Sequence, residues 1–361
     1  MDSKIYDVII LGAWPSWLFC ASKINKWKSI LVLEKSDSPA QKLLLSAKWR
    51  WNITNININP AFDYIADNSQ FVIEAFKKYW AKDFINEIND IWIGIKEENN
   101  WRILLESGKV SLFHDKLVLM VKEKWVDIHF WENLISVNKS NDLFEVNTSK
   151  SVYKSKFFIV ATGGPSFPNL WATGVAIDIA KIFNVTYKNF YPALVWLETQ
   201  QDFSSLSWSS VVGNLNLLKS NQTVYHGVWP ILFTHRWISW PIVFNSSLVI
   251  EDTNNKYKIK LSISSSEITK RLLSFLWFHT NKLNNYIITS NIVGVRWLNE
   301  AKVCWWGILT SNLNYSFECK DCPWLYFIGE CVNVTWKTGW FNLQWCWTSS
   351  SICADSINKK K

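Results

Sequence analysis

The pattern of apolar and polar positions predicts a βαβ unit near the start of the chain. Residues 5–11 have the pattern of a buried strand, Ser16–Lys26 that of a helix, and Ile30–Glu34 that of a second strand. Strands that are apolar on both faces belong to parallel sheets with helices packed on either side. We therefore expect a three-layer α/β architecture organised around residues 5–11.

Helices and then strands are predicted for the remainder of the first 190 residues. Helical periodicity covers residues 69–80, 82–91 and 110–124, and a hairpin turns at Asn99–Trp101. A meander of strands follows at residues 126–130, 134–138, 143–148 and 152–160. Residues 41–55 lack helical periodicity and are predicted to form a polar, basic loop.

The pattern changes between residues 191 and 314, where short alternating strands accompany one amphipathic helix near Ser266–Phe278. The chain then returns to an apolar strand at residues 324–328 and an apolar helix that extends to about Ile357. The sequence thus predicts a first domain in two parts, residues 1–190 and 315–361. An inserted β-rich domain with a small helical part, residues 191–314, separates them.

The turn after the first strand has the character of a dinucleotide-binding turn. The G-x-G-x-x-G motif needs glycine where the backbone approaches a pyrophosphate and where helix and strand pack closely. Trp14 and Trp17 occupy the second and third glycine positions, so the literal sequence contradicts the motif. The candidate cofactor-binding residues of this turn are Gly12, Ala13, Trp14, Pro15, Ser16 and Trp17.

Tryptophan stands at many positions where a turn favours glycine. The protein has 25 Trp and 12 Gly. Replacing Trp by Gly in dipeptides such as Trp240–Pro241 and Pro323–Trp324 would give the Gly-Pro and Pro-Gly pairs that are typical of turns. We interpret most of these Trp as glycines whose UGA codons have been read as tryptophan, and Trp345 and Trp347 as genuine. The alternative is that the indoles are real and fill a core. The other predicted turns of this kind contain Trp305, Trp306 and Trp340.

An acid and a basic loop extend the candidate site. Glu34 lies 22 residues after Gly12, at the end of the second strand, where an acid binds the ribose hydroxyls of an adenosine, and Lys35 follows it. Basic side chains of the loop 41–55 are suited to a phosphate, and its amides and hydroxyls to a flavin. The alternative is a solvated turn. The candidates in this loop are Lys42, Ser46, Arg50, Asn52 and Thr54.

Two later stretches also predict cofactor contacts. The strand at 152–160 leads into Ala161, Thr162 and Gly163, where glycine lets the backbone lie against a dinucleotide. The strand at 324–328 ends in Gly329 and Glu330. Backbone amides at the start of the final helix favour the negative edge of a reduced flavin. The candidates there are Gly339, Asn342, Leu343 and Gln344.

Composition narrows the classes of function. An apolar content of 48% excludes disorder, and no apolar run is long enough to span a bilayer. Seven cysteines without regular spacing and a start without a signal sequence predict a cytoplasmic protein. The lone C-x-x-C at Cys319–Cys322 is interpreted as two loop thiols, and no metal is predicted. The net charge of +8 is scattered, which makes nucleic acid a less favoured partner without excluding it.

These motifs resemble the aminoacetone-oxidase/BaiN-like family of NAD(P)/FAD-dependent flavoproteins over nearly the whole chain. The resemblance rests on the N-terminal turn, S-x-K-x-R-x-N-x-T-N at 46–55, A-T-G-G-P-S at 161–166, F-T-H-x-x-I-S-x-P at 233–241 and T-G-x-x-N-L-Q-W at 338–345. It implies a Rossmann-like FAD-binding domain, split by an inserted domain, and oxidoreductase chemistry.

The preferred interpretation is an FAD-dependent oxidoreductase that transfers hydride between a small organic substrate and the flavin, with NAD(P)H as a candidate electron donor. His235 and Arg236 are the candidates for catalysis, although a lone His is more often structural. One alternative is a non-enzymatic, degenerate flavoprotein fold whose basic surface binds a partner. Another is an RNA-modifying flavoenzyme, which differs only in its substrate.

Overall fold

A computed structural model of the chain describes residues 4–12, 15–45, 52–99, 101–235, 237–251, 257–280, 286–338 and 341–360. The chain divides into two compact units, Met1–Phe190 with Trp305–Lys361, and Tyr191–Cys304. The second junction precedes the predicted one at residue 314. Residues 305–314 belong to the first unit because Leu309 donates its N–H to the Thr186 carbonyl and Thr310 donates to the Asp67 carboxylate.

Strands and helices alternate through the first unit, and strands dominate the second. The strands are β1 (Ile5–Leu11), β2 (Ile30–Leu33), β3 (Asn52–Asn55), β4 (Tyr64–Ala66), β5 (Ile95–Glu98), β6 (Arg102–Leu105), β7 (Asp127–His129), β8 (Leu134–Ser140), β9 (Leu143–Thr148), β10 (Val152–Val160), β11 (Tyr187–Ala193), β12 (Leu197–Thr199), β13 (Ser210–Lys219), β14 (Gln222–Phe233), β15 (Trp237–Ser239), β16 (Tyr257–Ile263), β17 (Ile287–Val295), β18 (Val303–Ile308), β19 (Leu325–Phe327) and β20 (Val334–Trp336). The helices are α1 (Pro15–Lys23), α2 (Gln41–Leu45), α3 (Pro60–Asp63), α4 (Ser69–Lys78), α5 (Ala81–Asp90), α6 (Val110–Lys122), α7 (Val175–Ile182), α8 (Pro241–Ser247), α9 (Lys270–Thr280) and α10 (Phe341–Lys359). In the described part of the chain, no helix is long and apolar enough to cross a membrane.

The main sheet of the first unit has the order β7-β2-β1-β10-β9-β8, and β19 also pairs with β10. Strands β7, β2, β1, β10 and β19 run parallel, whereas β8, β9 and β10 form an antiparallel meander. Helix α1 packs against α6 and α10. The predicted α/β fold with a parallel sheet and a meander is confirmed.

Three local predictions are wrong in detail. The strand predicted at 126–130 is β7, which pairs in parallel with β2 instead of joining the meander, because α6 returns the chain to that edge. The stretch 41–55 contains α2 and β3 rather than loop alone. Trp305 and Trp306 lie in strand β18, not in a turn. The next residue of β18, Gly307, has no room for a side chain, because a Cβ on it would lie 2.4 Å from the Cys331 carbonyl oxygen.

The second unit is a closed antiparallel barrel of order β12-β15-β14-β13-β16-β17. Its strands alternate as in β16, where Ile259 and Leu261 are buried and Lys258 and Lys260 are exposed. The inward side chains form their own hydrophobic core with α8 and α9. The predicted β-rich insert with a small helical part is confirmed.

In the C-terminal part of the first unit, the Glu318 carboxylate accepts hydrogen bonds from Asn314, Trp324 and Lys360. These contacts make the stability of the fold sensitive to acid. Burial alone would raise the pKa of Glu318 above the ordinary value of 4.5, but hydrogen bonds from Lys360, Trp324 and Asn314 outweigh burial and lower the pKa. A carboxylate with a lowered pKa contributes stability above its ordinary pKa, and that contribution is lost as the pH falls through the folded-state value.

We expect Glu318→Gln to lower the free energy of unfolding by about 1.5–3 kcal/mol at neutral pH, as for hydrogen bonds to charged groups. The difference from the parent protein should vanish as the pH falls below 4.5. Urea titrations at several pH values measure it. A difference that stays constant down to the acid limit would contradict this assignment.

Candidate cofactor site

The loops that follow β1, β2 and β10 meet at the carboxyl edge of the sheet. Gly12 donates its N–H to the Leu33 carbonyl at 2.9 Å and has a φ of +97°, which disfavours any residue with a Cβ. A Cβ on Gly12 would lie 2.8 Å from the Cα of Thr162 and 2.9 Å from the oxygen of Ala161. The turn after β1 therefore lies directly against the turn after β10.

A cavity of about 300 Å³ opens at this edge, where ligands of open α/β sheets bind. Its lining includes Gly12, Glu34, Lys35 and Thr162, which the sequence analysis singled out. Glu34 is buried, and its Oε1 accepts the N–H of Ser36 at 2.7 Å. Other lining residues were not predicted from the sequence, among them Glu132, Asn133, Thr173, Gly174 and Asp178.

Glu132 is the most informative of the missed residues. It follows β7, the parallel neighbour of β2, just as Glu34 follows β2, and it is buried. Its carboxylate accepts hydrogen bonds from Thr148 Oγ1 and from the Tyr153 hydroxyl, at 2.5 and 2.9 Å. Recognition of β7 as a parallel strand would have revealed Glu132 at the same edge.

The N-terminus of α1 joins this cavity edge to the last helix. Pro15 begins α1, where its missing N–H removes no helical hydrogen bond. The buried Ser16 accepts a hydrogen bond at its carbonyl from Ser350 Oγ at 2.7 Å. Gly329, with a φ of +72°, approaches so closely that a Cβ on it would lie 2.5 Å from Ser16 Oγ. Trp17 is fully buried.

Side-chain hydrogen bonds connect the first turn of α10 to strand β3. Thr54 Oγ1 donates to Gln344 Oε1 at 2.6 Å, and Gln344 Nε2 donates to Thr348 Oγ1 at 3.0 Å. The Asn52 side-chain oxygen accepts the Thr54 N–H at 3.1 Å. Asn342 and Leu343 lie in the same turn of α10. The sequence-distant candidates of the loop 41–55 and of the final helix thus come together.

The remaining candidates lie after β10 and β19. Gly163 has a φ of +65°, and Ala161 is buried. Ser166 Oγ lies 3.5 Å from Glu330 Oε1, and both residues are buried. Close approaches join Gly12 to Thr162 and Ser16 to Gly329, and the indole of Trp345, the neighbour of Gln344, donates to the Gly329 carbonyl. These residues form a contact path whose extended arrangement suits a dinucleotide.

Two buried polar atoms, one after β10 and one in β3, test the fit of this region to FAD. Thr162 Oγ1 and Asn52 Nδ2 lack a hydrogen-bond partner among the described atoms. Buried polar groups are normally paired, so both atoms fit a polar ligand at these positions. Together with the backbone at Gly12, which has no room for a side chain, they make the site compatible with FAD.

The catalytic candidate His235 lies away from these contacts in the chain: it is exposed and follows β14 in the barrel unit. The following lie outside the described residues: Ala13, Trp14, Ser46, Arg50, Arg236, Gly339 and the side chain of Lys42.

Three of the buried thiols, those of Cys319, Cys322 and Cys331, are unsuited to act as thiolate nucleophiles. Burial raises the pKa of Cys331, and burial raises that of Cys322 to about 11 and also raises that of Cys319. These groups therefore remain protonated thiols at neutral pH. Within the described ranges, no cluster of three or more His, Cys, Asp or Glu residues is arranged to hold a metal.

A parallel sheet built from both parts of the first unit, a position after β1 (Gly12) that has no room for a Cβ and an acid at the end of β2 define the class of this protein: it has the Rossmann-like FAD-binding fold of flavoprotein oxidoreductases. The chain belongs to the family described as HI0933-like protein Rossmann domain, which matches residues 6–356. The narrower relationship to aminoacetone oxidases stays a prediction.

Similar proteins cover nearly the whole chain. It is 26% identical over 412 residues to the ribosomal RNA dihydrouridine synthase of Haemophilus influenzae, covering 99% of this chain and 100% of that protein. It is 18% identical over 397 residues to the 3-dehydro-bile acid delta(4,6)-reductase of Clostridium scindens, covering 95% and 97%. Among solved structures, a 3-ketosteroid-delta4-(5alpha)-dehydrogenase from Rhodococcus jostii shares the fold, with a TM-score of 0.57 at 10% identity over 99% of this chain and 97% of that one.

Proposed function

We propose that this protein is an FAD-dependent reductase that converts uridine in ribosomal RNA to dihydrouridine. The observation that carries the proposal is the end-to-end similarity to a ribosomal RNA dihydrouridine synthase, at 26% identity against 18% for the bile acid reductase. The net charge of +8, although its basic residues are scattered along the chain, also attracts a polyanionic substrate at long range.

The reaction adds one hydride and one proton across the carbon–carbon double bond of the pyrimidine ring. FAD supplies hydride chemistry when bound, and NAD(P)H is the proposed source of the electrons. The tasks of the chain are to hold the cofactor, to orient it and to keep water from the reacting edge.

Each cofactor-binding task is assigned to residues that line the cavity or lie on the contact path. Glu34 binds the adenosine ribose, and Gly12 together with the N-terminus of α1 accommodates the pyrophosphate. The hydrogen bond from Thr54 to Gln344 holds the first turn of α10, where the backbone N–H of Asn342 would favour the negative edge of the flavin while the Leu343 N–H donates to Asn342 Oδ1 at 2.9 Å. His235 and Arg236 stay candidates for contacts to the RNA substrate.

The test uses the FAD-loaded protein, NADPH and unmodified ribosomal RNA transcripts. Digestion to nucleosides and mass spectrometry should reveal dihydrouridine only when all components are present. Its rate of formation should fall steeply as salt rises, because phosphate contacts release counterions. RNA without NADPH and free uridine are the matched controls.

Three results would overturn the proposal or parts of it. Reduction of a conjugated steroid ketone with no reaction on RNA would favour a small organic substrate. A folded, colourless protein that takes up no FAD would favour the non-enzymatic alternative. Flavin that is reduced by another donor but not by NAD(P)H would remove only the proposed electron source.

A further inference from the structure

Tryptophan occupies left-handed backbone positions far more often than the other aromatic residues do. Of the 21 described Trp, nine have a positive φ, compared with two of the 32 Phe and Tyr, all of which are described. Left-handed conformations are rare for bulky side chains and are readily adopted only by glycine. The nine are Trp92, Trp101, Trp125, Trp131, Trp171, Trp208, Trp240, Trp306 and Trp324.

Trp92 stands at the glycine position of a helix C-terminus. Helix α5 ends at Asp90, and Trp92 follows with a φ of +60°. Its N–H donates to the Asn89 carbonyl at 2.9 Å, and the N–H of Ile93 donates to the Ile88 carbonyl at 3.3 Å. This pair of hydrogen bonds is the Schellman motif, whose left-handed residue is usually glycine.

Two other turns also place a tryptophan at a position with a positive φ that favours glycine. In the hairpin of β5 and β6, Glu98 pairs with Arg102, and Trp101 takes the left-handed last position of the three-residue loop, with a φ of +63°. Before β19, the Leu325 N–H donates to the Cys322 carbonyl across Pro323 and Trp324, whose φ is +69°. Pro followed by a residue of positive φ is the type II turn, which favours glycine at the second place.

The backbone at Trp240 distinguishes most clearly between glycine and the other residues that tolerate a positive φ. Trp240 precedes α8 with a φ of 109° and a ψ of 163°. This region of backbone space is essentially restricted to glycine, so Asn and Asp, which tolerate the left-handed helical region, do not suit the position.

Three of these side chains also lack the buried environment of structural tryptophans. The indoles of Trp92, Trp125 and Trp208 are 94%, 88% and 76% exposed. By contrast, Trp345 and Trp347 are fully buried, and their indole N–H groups donate to the carbonyls of Gly329 and Ile53. Trp17 is fully buried, but its indole nitrogen has no partner among the described atoms.

We propose that the nine left-handed tryptophans and Trp17 are glycines in the protein as its own cell makes it, because their UGA codons are decoded there as glycine. One codon accounts for the whole set, since UGA is read as tryptophan in some genetic codes and as glycine in others. Trp345 and Trp347 are tryptophans encoded by UGG. Glycine at position 17 also supplies the close helix–strand packing that the turn after Gly12 requires.

Peptide mass spectrometry of the protein isolated from its native cells tests this assignment without reference to activity. Peptides that contain positions 92, 101, 240 and 324 should carry glycine, and peptides that contain positions 345 and 347 should carry tryptophan. The second pair is the internal control for UGG. Tryptophan at the first four positions overturns the proposal, whatever the protein's substrate.

A second measurement compares recombinant proteins whose genes use unambiguous codons. Trp92→Gly, Trp101→Gly, Trp240→Gly and Trp324→Gly combined should raise the thermal midpoint by several degrees, whereas Trp345→Gly should lower it. Trp92→Ala is the matched control, because it removes the indole but retains a Cβ at the left-handed position. A combined glycine variant that melts at or below the temperature of the tryptophan form contradicts the proposal.

Discussion

Gly12→Val is expected to yield a folded protein that lacks the yellow colour of bound flavin. The added Cβ would lie 2.8 Å from the Thr162 Cα and 2.9 Å from the Ala161 oxygen, and backbone atoms cannot move aside as a flexible side chain can. The φ of +97° adds strain. Relief of both requires the turn after β10 to shift away from the cavity.

We expect FAD affinity to fall on the order of a hundredfold, or about 2.8 kcal/mol, since each tenfold corresponds to about 1.4 kcal/mol. Titration of the apoprotein with FAD, followed by flavin fluorescence, measures the change. Gly94→Ala is the matched control, because its Cβ would meet only the end of the flexible Glu106 side chain. Parent-like affinity in Gly12→Val would show that the cofactor does not approach this turn.

Trp347→Ala is expected to cost about 3–5 kcal/mol of the free energy of unfolding, the range for removing a large aromatic side chain from a core. The indole stacks on Phe84 with centroids 5.0 Å apart, and edge contacts to Phe19 and Phe113 surround it. Its Nε1 donates to the Ile53 carbonyl of β3 at 3.1 Å. The substitution therefore leaves both a cavity and an unpaired carbonyl.

Urea unfolding of purified protein checks the magnitude. Trp347→Phe should fall between the parent and Trp347→Ala, because the ring stays while the hydrogen bond to Ile53 is lost. Trp92→Ala serves as the comparison on the surface, where loss of a 94% exposed indole should change stability by about 0.5 kcal/mol or less. Equal effects at positions 92 and 347 would contradict the distinction between the two classes of tryptophan.

The elements that the sequence predicted well are those fixed by local pattern. Residues 5–11 carry apolar residues that are buried on both faces in β1, and the hairpin at Asn99–Trp101 is enclosed by β5 and β6. The strand β7 was predicted, but its partner was not. A strand of only three residues does not itself specify which strand it pairs with. The pairing of β7 with β2 is decided by the crossover through α6.

The same limit applies to the candidate site. Glu34 and Thr162 were found because each directly follows an apolar strand, and both line the cavity. Glu132 was missed because its strand was assigned to the meander. The hydrogen bond from Thr54 to Gln344 joins residues 290 positions apart, and only their separate motifs pointed to one cofactor. Sequence pattern supplied the candidates, whereas sheet pairing brought them together.

The hydrogen bond from Ser350 Oγ to the Ser16 carbonyl joins the two ends of the chain, so it forms only when synthesis is nearly complete. The ribosome produces the turn at Gly12 first, the barrel next and α10 afterwards. The barrel has its own core and can bury it while translation continues. The α1 helix, in contrast, has no α10 to pack against until synthesis has passed the barrel, so cofactor capture becomes a late step of biogenesis.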